Sequence, residues 1–176
     1  MQVDKHTLSR TQHWIDTFII GENICPFAQH IPKPRLKLVH DASDTMLSAL
    51  ENMHKEWQSL LSDKAIETSI IVYSRASQDF EEFLDWYYAC DQLLEDTDLR
   101  DTFQLVAFHP KFVFDNAKAN DAANYTNRSP YPMIHILRES SVTKAVSTHP
   151  NVDNIPVRNM EHLRKRSTKY WEDIRK

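Results

Sequence analysis

The chain holds a single glycine, Gly21, among its 176 residues. Phosphate-cradling loops and dinucleotide-binding turns need several, because only a residue without a Cβ lets the backbone close on the ligand. P-loop nucleotide hydrolysis and Rossmann-type nicotinamide chemistry are thereby excluded, and no cofactor motif is found. Cysteine is nearly as scarce. Cys25 and Cys90 lie far apart and form no CxxC pair. No apolar run approaches the roughly 20 residues that cross a bilayer. The opening stretch MQVDKHTLSRTQHWIDTFII lacks the basic start, apolar centre and small-residue cleavage site of a signal peptide, so a cytoplasmic chain with reduced thiols is expected. A net charge of −4 gives no global pull toward nucleic acid or membrane. Nine histidines are present, yet no HExxH and no Cys/His cluster with zinc spacing.

What is present reads as one globular domain over 1–176, with 41% apolar and 26% charged residues. Residues 4–20 read as a helix with Leu8, Ile15, Phe18 and Ile19 on one face, and Gly21 stands where a helix stop is expected. Leu36 to Val39 reads as a strand. Ser43 is a candidate cap for a helix whose apolar stripe is Met46, Leu50, Met53, Trp57 and Leu60. Residues 67–74 (ETSIIVYS) and 103–108 (FQLVAF) read as buried strands around a helix over 78–97, with Phe80, Phe83, Leu84, Tyr87 and Leu94 inward. Segment 110–129 is long for a connection, which favours a functional loop. Ser129-Pro130-Tyr131-Pro132 reads as a helix start continuing through 133–139, with a strand over 133–137 as the rival. Helices near 142–149 and over 156–174 complete the chain. The expected fold is α/β and helix-rich, with a small, mainly parallel sheet of three or four strands and flanking helices.

In open parallel sheets, ligands bind beyond the carboxyl ends of the strands. The three strands run out at His40-Asp41, Ser74-Arg75 and His109-Pro110, so polar residues are expected along one rim. His109 suits a general acid/base or a hydrogen-bonded strand end. His40 reads as structural or solvated. Arg75 suits an anion or a neighbouring carboxylate. If Pro26 opens a helical turn, Cys25 caps it and gains thiolate character; otherwise it is a small buried apolar group. Cys90 reads as core. Arg128, with Asn127 beside it, would clamp an anion at the N-terminus of a helix starting at 130, or tether the loop. His135 and Glu139 would form an oriented pair if 133–139 is helical. A metal reading needs Cys25, His109 and His135 brought together. Residues 78–101 are acidic and 157–176 basic. Pairing between the two runs is expected, because no nucleic-acid motif accompanies the basic one.

The segments ICPFA (24–28), AFHP (107–110), NRSPYP (127–132), HILRE (135–139) and HPNVDNI (149–155) together resemble an uncharacterised, mainly bacterial family, domain of unknown function 1415. The resemblance covers nearly the whole chain. It implies no activity and no catalytic residues. The leading expectation is a small enzyme acting on an anionic small molecule, with His109 and Cys25 catalytic and Arg128, Asn127, Arg75 and His135 binding. The rivals are a non-catalytic ligand-binding or protein-interaction domain and a metal-binding protein.

Overall fold

A computed structural model describes residues 2–75 and 78–176. Helix α1, Gln2–Trp14, widens into a π-helical turn over Ile15–Ile20. Gly21 then keeps helical dihedrals, with φ −62°. Its glycine is required by space and not by a left-handed stop, because a Cβ there would collide with the carbonyl oxygen of Thr17. Strand β1 follows (Leu36–Asp41), then α2 (Met46–Ser62), β2 (Thr68–Tyr73), α3 (Phe80–Asp96) and β3 (Phe103–Phe108). Thr45 caps α2, accepting from the Ser48 amide at 3.3 Å. Ser43 does not cap it, because Asp41 Oδ1 already accepts from the Ser43 amide at 2.7 Å and draws that residue inward. Asp79 caps α3 by accepting from the Glu81 and Glu82 amides.

The segment after Ser129 is a strand, β4 (Met133–Arg138), and not a helix. Pro130 and Pro132 drive this. Each pushes the residue before it toward extended backbone, and the run they deliver alternates, with Ile134 and Ile136 fully buried on one face. β4 enters between β2 and β3, antiparallel to both, while β1 and β2 pair in parallel. The sheet order is β1-β2-β4-β3. The expected mainly parallel sheet is therefore a mixed one. The rest is α4 (Glu139–Thr148), α5 (Ile155–Arg164) and α6 (Thr168–Ile174). The C-terminal helix breaks at Ser167, whose side chain caps α6.

Two cores lie on opposite faces of the sheet. On one, α2 and α3 bury Met53, Trp57, Leu60, Phe83, Trp86 and Leu94 against Ile71, Leu105, Ile134 and Ile136. On the other, Trp14, Ile15, Phe18, Leu163 and Trp171 cover Ile70, Val72 and Met133. At about 25 cal/mol per Å² of apolar surface removed from water, such faces supply the main drive for folding. The sheet also keeps the acidic and basic runs apart. The basic run instead pairs Arg164 with Asp121 and His162 with Glu22, and Arg100 binds Asp91 and Glu95 on its own side.

Candidate functional site

The reversed direction of β4 leaves the rim intact. β1, β2 and β3 point the same way, and the amino end of β4 joins their carboxyl ends. Backbone bonds knit the edge: the Ser74 amide donates to Asp41 O at 3.2 Å, the Tyr73 amide to Pro132 O at 2.9 Å, and the His109 amide to Asn127 O at 3.1 Å.

On the β3–β4 half, the side chains singled out in the sequence are bound internally. His109 is fully buried, 5.2 Å from the Phe80 ring and 5.1 Å from the Phe83 ring. Its Nδ1 accepts from the Lys111 amide at 3.0 Å, which places the neutral ring's proton on Nε2. Asn127 Nδ2 donates to Ala107 O at 3.0 Å and extends the β3 edge. No helix starts at 130, so Arg128 has no helix dipole beside it. Its Nε donates to Phe112 O at 2.9 Å and its Nη2 to Ala119 O at 2.7 Å, and its guanidinium lies 5.0 Å from the Tyr125 ring. Loop 110–129 is thus tied down by its own arginine. Asn124, fully buried and not apparent from the sequence, adds a second staple, accepting from the Phe114 amide and donating to Lys118 O. Arg175 donates to Pro110 O at 2.6 Å; burial lowers its pKa, with the nearby charges of Arg128 and Arg10 adding to the effect.

His135 lies in a strand and makes no helical pair with Glu139. Its Nε2 meets Thr68 Oγ1 at 2.6 Å, and that hydroxyl donates to Ile136 O at 2.7 Å. The ring therefore donates through Nε2. Burial pushes its pKa down to about 4, so at neutral pH it is uncharged. Cys25 packs, half-buried, against the core beneath α1, while His109 stacks in the core beneath α3. The sheet separates the two, so they form no dyad, and the set Cys25, His109 and His135 forms no metal site. Only a 3₁₀ turn at Ala28–His30 follows Cys25, not a helix whose dipole it would cap. Cys90 is core as expected, its thiol pushed up to about 12 by burial and then by the Asp41 and Asp91 charges. Among the described residues, no group of three or more His, Cys, Asp or Glu side chains is arranged to hold a metal.

The β1–β2 half is different. His40 and Ser74 extend from neighbouring strand ends toward the same face, and α1 crosses above them. His40 Nε2 lies 2.6 Å from Ser74 Oγ, and His40 Nδ1 lies 3.1 Å from Asp4 Oδ1. The carboxylate can only accept, so Nδ1 carries a proton and Nε2 of the neutral ring is left to accept from the serine hydroxyl. That is the order of a nucleophile, a base and an orienting acid. The His40 side chain is 12% exposed and that of Asp4 43%; Ser74 is half-buried and Arg75, next in the chain, is exposed. Strand-end reasoning reached His40 and Ser74 as positions. It missed their partnership, because Asp4 arrives from α1 and nothing in the spacing links it to them.

Fold and rim together define a small α/β protein with a mixed four-stranded sheet and a Ser-His-Asp relay at the strand ends. The chain belongs to the family described as protein of unknown function (DUF1415), whose model matches residues 6–173. No curated protein and no solved structure matches it.

Proposed function

We propose that the protein is an enzyme acting on an anionic small molecule at the strand-end rim, and that its reaction is hydrolysis of an ester through Ser74. One observation carries the reading: Asp4, His40 and Ser74 are in hydrogen-bond sequence at 3.1 and 2.6 Å. Ser74 Oγ attacks the substrate carbonyl carbon while its proton passes to His40 Nε2, and Asp4 holds the resulting imidazolium. Collapse of the tetrahedral adduct expels the alcohol, which takes that proton. Water then releases the acid from the acyl-serine, with His40 again the base. The Ser74 amide is occupied by Asp41 O, so binding of the anionic group and of the charge developing on the carbonyl oxygen both fall to Arg75. Cys25 and Cys90 are both free thiols, which fits a reducing, cytoplasmic setting. No described helix is long and apolar enough to cross a membrane.

A fluorophosphonate probe with peptide mapping tests this. Ser74 should be labelled in the wild type and left unlabelled in His40→Ala, with Ser74→Ala as the site control. Absence of label on Ser74, or equal labelling without His40, overturns the proposal. A second reading, a non-catalytic ligand-binding domain, is favoured by the internal bonding of Asn127, Arg128 and His135. An unlabelled Ser74 would leave that reading standing.

A further inference from the structure

On the opposite face of the β1 end, between that strand and α2, lies a cavity of about 280 Å³. Its walls are Val39 and Ile71 on the sheet and Asn52, Lys55 and Glu56 on the helix, with Asp41 at the strand end. Two carboxylates border it, both almost fully buried: Asp41 is 4% exposed and Glu56 6%. Asp41 is held by neutral donors only, the Ser43 amide at 2.7 Å and Asn52 Nδ2 at 3.3 Å. Glu56 spends Oε2 on Lys37 Nζ at 2.7 Å, and its Oε1 is buried with no hydrogen-bond partner in the protein. An unpaired buried carboxylate oxygen is costly, because desolvation is not offset by any donor. The ion pair with Lys37 accounts for Oε2 and leaves Oε1 over. A glutamine would satisfy Lys37 through its carbonyl oxygen and would carry no second acceptor charge.

We infer that this cavity is a binding site for a small amino acid, its ammonium group received by Glu56 Oε1 and Asp41 and its carboxylate by Lys55 at the mouth. An ammonium brings three donors and a charge to a place that offers acceptors and negative charge. Lys55 is exposed and makes one long contact, 3.3 Å, to Asn52 Oδ1, so its ammonium is placed to meet an acid group. A metal ion fits less well: the ring nitrogens of His40, the third candidate ligand in the lining, are held by Ser74 and Asp4, and no group of three His, Cys, Asp or Glu side chains is arranged to hold a metal among the described residues. Water takes about 30 Å³ per molecule in the liquid, so the space suits a ligand of several heavy atoms, well short of a nucleotide. The inference is independent of the reaction proposed at Ser74, although His40 borders the cavity as well as the relay.

The test is NMR titration of the full chain with glycine, β-alanine and 4-aminobutanoate, alongside ethanolamine and propionate. At least one amino acid should saturate shifts of the Asn52 side-chain amide and the Val39 and Ile71 methyls. Ethanolamine and propionate should each bind about ten-fold more weakly or worse, through loss of one charged contact. Glu56→Gln, which keeps shape and leaves an acceptor for Lys37, should weaken the amino acid by about ten-fold. Lys55→Met, at an exposed position with no packing role, should weaken the amino acid and leave ethanolamine unchanged. The inference is overturned if no amino acid saturates at tens of millimolar, if either single-function analogue binds equally well, or if Mg²⁺ or Ca²⁺ moves the same signals in their place. A Glu56→Gln protein that stays folded and binds as the wild type does also overturns it. Labelling of Ser74 is read separately, so one reading can fail without the other.

Discussion

The two halves of the strand rim hold equally polar residues and treat them in opposite ways. Around β3 and β4, the polar groups of Asn127, Arg128 and Asn124 close on backbone carbonyls and amides of the same region. Around β1 and β2, His40 closes on two side chains, Ser74 and Asp4, and Glu56 leaves an oxygen unpaired beside a cavity. The distinction is physical. A side chain that satisfies a backbone group fixes a loop and cannot leave without exposing a buried amide or carbonyl. A side chain bonded to other side chains can exchange protons or accept a new partner at little cost to the fold. Conspicuous residue types gather in the first half, and the side chains bonded to other side chains, on which the proposed reaction rests, lie in the second.

The largest expected effect separates the halves at once. Ser74→Ala and His40→Ala should each lower turnover of an anionic 4-nitrophenyl ester by about 10⁴-fold, while thermal midpoints stay within a few degrees. Arg75→Gln should raise KM for the anionic ester alone and lower kcat for anionic and neutral esters alike, since the developing oxyanion is common to both. Retained turnover in Ser74→Ala would erase the contrast. Next in size, Arg128→Ala should cost about 3 kcal/mol in denaturant unfolding, since Phe112 O and Ala119 O lose a charged donor and the Tyr125 ring loses the nearer of its two cations. Its rate constants should match the wild type. Arg128→Lys should recover only part of the stability, because an ammonium cannot span both carbonyls as the planar fork does. If Arg128→Ala is instead stable and inactive, the closed half is the active one.

The same contrast explains what could be read from the residues alone. Strands β1, β2 and β3 were legible because short apolar runs between turn signals, β-branched in β2, are local information. So was α3, apart from Leu84, which was expected inward but joins neither core, and Trp86, which is buried but went unassigned to the inward face. β4 was not legible. Its prolines match a helix start, and what decides the outcome is the slot between β2 and β3, which only the assembled sheet offers. The rim followed from the strand ends, and it survived the error over β4 because a reversed strand presents its amino end there. Partnerships were out of reach. Asp4 is 36 positions from His40 and 70 from Ser74 in the chain, and Arg128 reaches carbonyls of a loop without periodicity. Residue type marks a group as able to act; only the fold shows whether it is already engaged.

His135 gives the smallest predicted effect and the finest test of where the closed half ends. It sits on β4, the strand that borders both halves, and burial holds its pKa near about 4. In the unfolded chain an ordinary imidazole takes its proton near ~6.5. Between those values the unfolded state binds the extra proton, so stability rises with pH across that window. The contribution is complete above about 6.5 and is lost as pH falls toward 4; it amounts to up to about 3 kcal/mol. Other groups titrate in the same range, so the informative quantity is the difference between wild type and His135→Gln, whose amide can still donate to Thr68 Oγ1. That difference should change steadily from pH 7 to 4, the wild type losing more stability than the variant. A flat difference would mean that water reaches the ring and that the open half of the rim extends across β4. A sloping one confines it to β1 and β2, where His40, Ser74 and Asp41 lie.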